Sequence, residues 1–98
     1  MALVAITDHA VERYGQRVRG TLDPRTEIAA RVGGALEAGR SEPGERGAIL
    51  VRDVRRPGLV YVCMEDRPRG ELIVVTLYEE GEDVAVPQRF TNALRRPR

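Results

Sequence analysis

Residues 48 to 78 crowd their apolar positions into three short runs broken by polar turns, whereas residues 8 to 38 space them at helical intervals. The runs Ala48 to Val54, Leu59 to Met64 and Glu71 to Tyr78 are rich in valine, isoleucine, leucine and tyrosine, which predicts strands. Arg55-Arg56-Pro57-Gly58 and Asp66-Arg67-Pro68-Arg69-Gly70 separate them, and turns this short join neighbouring strands into an antiparallel meander. Leu59, Tyr61 and Cys63 oppose Val60, Val62 and Met64, so both faces of the sheet are apolar and both need cover.

The helical half begins with Thr7 or Asp8 as N-cap and runs to Arg17 or Val18, with Ala10, Val11, Tyr14 and Val18 on its buried face. Asp23 and Pro24 then start a second helix that extends to about Ala38 and ends on Gly39. Its residues Ile28, Ala29, Val32, Ala35 and Leu36 form one apolar stripe facing a core. Gly15, Gly33 and Gly34 each weaken these helices by about 1 kcal/mol relative to alanine, which calls for a packing reason such as close backbone approach or a slight kink. Leu3 to Ile6 forms a short strand or a lead-in to the first helix, and residues 40–46 form a loop. Asp83 to Pro87 is a candidate fourth strand ended by its proline.

These elements predict an α+β fold in which two N-terminal helices pack on a three- to four-stranded antiparallel meander. Residues 1–87 form one domain, since 98 residues hold a single core but not two, and residues 88–98 form a basic tail.

Composition narrows the function classes. A formal charge of +1 argues against wrapping long duplex DNA by bulk charge, yet all 16 basic residues are arginine, whose fork suits phosphate and carboxylate. An aromatic content of 4% is too low for an array of base-stacking side chains. Cys63 is the single cysteine, so no internal disulfide forms, and no cysteine or histidine cluster is spaced for zinc. Buried in a strand, its thiol behaves as a small hydrophobe rather than a nucleophile. There is no run of about 18 apolar residues to span a membrane and no signal-peptide pattern, which predicts a cytoplasmic protein. No cofactor is implied.

Candidate chemistry centres on the first helix. His9, Arg13 and Arg17 fall on one flank at i, i+4 and i+8, and His9 is the only histidine in the chain. An imidazole with an ordinary pKa of about 6.5 suits proton transfer near neutral pH, and two guanidinium groups suit a charged phosphorane. The partner acid or base is open among Tyr78, Tyr61 and Glu12. The same spacing fits a structural role, with His9 hydrogen-bonded to the sheet and Arg13 paired with Asp8 or Glu12. Arg67 and Arg69 at the second hairpin, and Arg95, Arg96 and Arg98 in the tail, are either solvated ion-pair formers or contacts for nucleic-acid phosphate.

The order of elements resembles the small RelE/ParE-like domains. The opening Thr7-Asp8-His9-Ala10-Val11-Glu12-Arg13-Tyr14 and the strand Val74-Val75-Thr76-Leu77-Tyr78 look like a branch that opens with His-Ala-x-x-Arg and closes its sheet on Thr-x-Tyr. The likeness spans residues 5 to 80. It implies a toxin-type domain, a metal-independent ribonuclease acting on RNA, with His9, Arg13, Arg17, Thr76 and Tyr78 in its site and an antitoxin as partner. The chain departs from the ribosome-dependent members in having no lysine and a low net charge. The competing reading is a noncatalytic protein-interaction module of phage or plasmid origin, a homodimer or a partner-binding domain, whose doubly apolar sheet or basic tail is the docking surface.

Overall fold

The computed structural model describes residues 3–80. Two helices, α1 (Asp8–Arg17) and α2 (Pro24–Glu37), lie between strand β1 (Leu3–Ile6) and strands β2 (Ser41–Pro43), β3 (Ile49–Arg52), β4 (Leu59–Asp66) and β5 (Glu71–Glu79). The strands form one sheet in the order β1-β5-β4-β3-β2. The expected α+β class and the β3-β4-β5 meander are present, but the sheet is mixed and five-stranded rather than an antiparallel sheet of three or four strands. β1 pairs with β5 in parallel, because the chain crosses over through both helices before returning to the sheet. Residues 41–43, read above as loop, pair antiparallel with β3 as an edge strand. Pro43 suits that edge, since proline has no ladder N–H to offer a further strand. The candidate strand at 83–87 and the basic tail lie outside the described residues.

Local chemistry sets the helix ends. Thr7 is the N-cap of α1, its Oγ1 accepting the Ala10 N–H at 3.1 Å. Its hydroxyl and N–H also bond the β5 carbonyls of Val74 and Val75, fixing the helix start against that strand. Asp23 caps α2 with Pro24 at the first helical position, and Gly39 adopts a left-handed φ of 73° just after the C-cap.

Both helices cover one face of the sheet. Ala10, Tyr14, Ile28, Val32 and Ala35 pack against Val51, Leu59, Tyr61, Cys63, Leu72, Val74 and Leu77. Burial pushes the Cys63 thiol pKa up to about 12, in keeping with an inert side chain. The packing reason expected for the helical glycines is absent: a Cβ at Gly15, Gly33 or Gly34 would meet nothing within 4 Å. In β5 the register slips opposite Val62 and Cys63, leaving Val75 as an extra residue. Beyond that bulge, Thr76 pairs with Val62 and Tyr78 with Val60, so both lie on the face away from the helices, with Met64. Neither helix covers that face, where Val60 is nonetheless fully buried and Met64 is 39% exposed.

Candidate functional site

Two polar regions stand out. The first runs along α1. Beyond Ile6 the strand β1 ends, and α1 takes its place beside the C-terminal half of β5. Ala10 and Tyr14 point into the core, which turns His9, Arg13 and Arg17 along one flank of the helix. Arg13 and Arg17 are half-buried, and His9 is exposed. Arg13 does not pair with Asp8 or Glu12. Its Nε donates to the Leu77 carbonyl of β5 at 3.1 Å, tying the helix to the strand segment that carries Thr76 and Tyr78. Asp8 instead pairs with Arg25 of α2, whose guanidinium also donates to the Ile6 carbonyl. The structural role considered for His9 is not observed, since no hydrogen bond or ion pair to a described residue holds its ring.

The second region lies where α2 meets the β3–β4 turn, and it was not legible as a site. Asp53 is buried near the end of the first of the three strand-like runs, Ala48 to Val54. Its Oδ1 accepts the backbone N–H groups of Arg55 and Arg56 at 2.7 and 2.9 Å, folding the turn around the carboxylate. Its Oδ2 accepts the Tyr61 hydroxyl at 2.5 Å and the Arg31 guanidinium at 3.1 Å. Arg31 also reaches Glu27 one turn earlier at 3.5 Å, and Glu27 accepts the Tyr14 hydroxyl at 2.6 Å. The only local clue was an aspartate closing an apolar run before Arg-Arg-Pro-Gly; the rest of the network is made across the fold.

Burial opposes the charge on Asp53, but hydrogen bonds from Tyr61, the Arg56 N–H, Arg31 and the Arg55 N–H outweigh it and hold its carboxyl below the usual carboxylate range. Burial, reinforced by the hydrogen bond to Asp53, raises the Tyr61 hydroxyl well above the usual phenol value. Burial and the hydrogen bond to Glu27 do the same for Tyr14. Tyr61, a candidate acid above, is buried and committed to Asp53, so it has no route to a substrate proton.

The hairpin arginines sit near acids: Arg67 lies 3.5 Å from Glu65 and Arg69 3.8 Å from Asp66, both largely exposed. Pairs of that kind contribute little to stability and leave the guanidinium groups accessible. Arg95, Arg96 and Arg98 fall outside the described residues. Among the described residues no three histidine, cysteine, aspartate or glutamate side chains converge to hold a metal, and no helix is long and apolar enough to cross a membrane. No family model matches the chain, and no curated protein or solved structure shows significant similarity to it.

Proposed function

We propose that the chain is a toxin-type domain of the RelE/ParE-like kind that cleaves RNA without a metal, using the α1 flank as its working surface. The observation that carries this reading is the docking of the His9-Arg13-Arg17 row beside β5, with Arg13 bound to the Leu77 carbonyl between Thr76 and Tyr78. His9 takes the proton of a 2′-hydroxyl; the 2′-oxygen attacks phosphorus, and the guanidinium groups stabilise the charge on the phosphorane. Glu12, three residues from His9 on the same helix, returns a proton to the leaving 5′-oxygen, and a 2′,3′-cyclic phosphate remains. Arg67 and Arg69 are further contacts for the RNA backbone.

Incubating the protein with total RNA in a chelator tests the chemistry directly. Cleavage with 2′,3′-cyclic ends is expected, and His9→Ala should slow it by about 10²- to 10⁴-fold, the usual contribution of a positioned acid or base. Intact RNA, or equal cleavage by the variant, would sink the proposal.

The sheet face away from the helices favours a second reading, a noncatalytic interaction module. Val62, Met64 and Ile73 present apolar surface on the side that the helices leave bare. Sedimentation separates the two: a stable homodimer or stoichiometric complex with unchanged RNA supports the module, and a monomer that cuts RNA supports the enzyme.

A further inference from the structure

Glu80 continues the ladder past β5, its N–H donating to the Gly58 carbonyl at 2.8 Å. Its carboxylate accepts from the Arg52 guanidinium at 2.6 Å, and Arg52 also donates to Glu42 at 3.1 Å. Arg52 and Tyr78 flank Val60 in the register, so the Arg52–Glu80 pair spans β4 on the face away from the helices, beside the fully buried Val60. The chain is thus held against that face where it leaves the sheet. We infer that this face is the seat of the chain's own residues 81–98, whose apolar side chains pack along β4 and β5 from the Glu80 anchor. The inference does not depend on the ribonuclease reading.

Exposure along the face rises with distance from the anchor. Val60 is fully buried, Val62 is half-buried and Met64 is exposed. Thr76 lies opposite Val62 and Ile73 opposite Met64, so a short lane with apolar walls runs from the ion pair toward the β4–β5 hairpin. Met64 lies about 20 Å along β4 from the level of Glu80, at about 3.3 Å per strand residue. Residues 81–90 span up to about 33 Å when extended, which brings Phe90 within reach of it.

The sequence of the segment suits that lane. Val84, Ala85 and Val86 come first, and after Pro87 the residues Phe90, Ala93 and Leu94 fall at i, i+3 and i+4, an apolar stripe at helical spacing. Phe90 is the only phenylalanine in the chain, and Arg89, Arg95 and Arg96 take positions off the stripe. A second copy fits less well. Val62, Met64 and Ile73 make a patch far smaller than the roughly 800 Å² per partner of a stable interface, and the charged Arg52 and Glu42 border it. A tethered segment needs no such area, because its effective concentration is already high.

The test uses the methionine methyl groups, of which the chain has two. In the full chain carrying ¹³C at these methyls, a nitroxide on Thr91→Cys should broaden the Met64 signal beyond detection; Cys63 is buried, which leaves the new thiol as the labelling site. Asn92→Cys gives a second label position should the first disturb the fold. In an equal mixture of ¹³C-labelled chain without nitroxide and unlabelled chain with it, the Met64 signal should survive. Adding Phe90→Asp to the nitroxide chain should restore the signal. A Met64 signal unchanged by either label position, one lost equally in the mixture, which would seat a second copy there, or one broadened as strongly with Phe90→Asp would each overturn the assignment. RNA cleavage is read in a separate assay, so the failure of one reading leaves the other standing.

Discussion

Asp53 and His9 mark two polar regions with opposite surroundings. Around Asp53, carboxylate, guanidinium, phenol and backbone N–H groups are paired inside the fold, and the turn from β3 to β4 is shaped by that pairing. Along α1, the imidazole is exposed and the neighbouring Arg13 is anchored through Nε to a strand carbonyl. A buried charge whose partners are satisfied holds structure, and its loss leaves orphaned polar groups. An exposed titratable group contributes little to folding, so its substitution separates chemistry from stability.

The largest effect is expected at Asp53. Asp53→Ala leaves the Arg31 guanidinium, the Tyr61 hydroxyl and two backbone N–H groups without their acceptor, and should cost about 3 to 5 kcal/mol in urea unfolding. A loss near zero would break the contrast, since the cluster would then be decoration. The effect is also pH-dependent. Because the folded pKa of Asp53 is depressed, its contribution is present above the unfolded value of about 3.9 and is lost as pH falls through the folded value. Tyr14 and Tyr61 have raised folded pKa values, so their contribution is complete below about 10 and declines as pH rises beyond it. Unfolding free energy followed from pH 2 to pH 12 should fall at both ends, roughly, and Asp53→Asn should flatten the acid limb.

What could be read in advance follows the range of the interactions. The β3-β4-β5 meander, the Thr7 and Asp23 caps and the α1 row depend on residues close in sequence, and their patterns were visible. The parallel pairing of β1 joins Leu3 to Glu71, and nothing in a four-residue apolar run specifies a partner so distant. β2 was hidden because Ser41-Glu42-Pro43 is exposed on an edge and carries no apolar alternation. For the candidate sites the division is the same. Helical spacing grouped His9, Arg13 and Arg17, but the anchoring of Arg13 to Leu77 is set by how α1 docks on β5. Asp53 draws Arg31 from α2 and Tyr61 from β4, so its surroundings arise only once both have packed.

A smaller effect, with the opposite sign, tests whether α1 is held by its buried stripe rather than by its outward residues. Gly15 is exposed and helical, and an added methyl group would meet no other atom. Gly15→Ala should therefore raise stability by about 1 kcal/mol, seen as a higher urea midpoint with an unchanged slope. Unchanged or lower stability would show that the exposed surface of α1 has a contact which its surroundings do not reveal.

The smallest change in stability belongs to His9→Ala. The imidazole is exposed on the first turn of α1, next to the Thr7 cap but not part of it, and no described residue holds its ring. Removing it should shift the unfolding free energy by no more than about 0.5 kcal/mol, the usual range for a surface substitution. A thermal melt and an RNA cleavage assay on the same preparation therefore form a sharp pair. An unmoved melt with lost cleavage places His9 in chemistry, while an unmoved melt with unmoved cleavage removes the α1 flank from consideration. A melt that falls as far as that of Asp53→Ala would mean that the imidazole helps hold the fold, and the contrast between the two polar regions would fail at its exposed end.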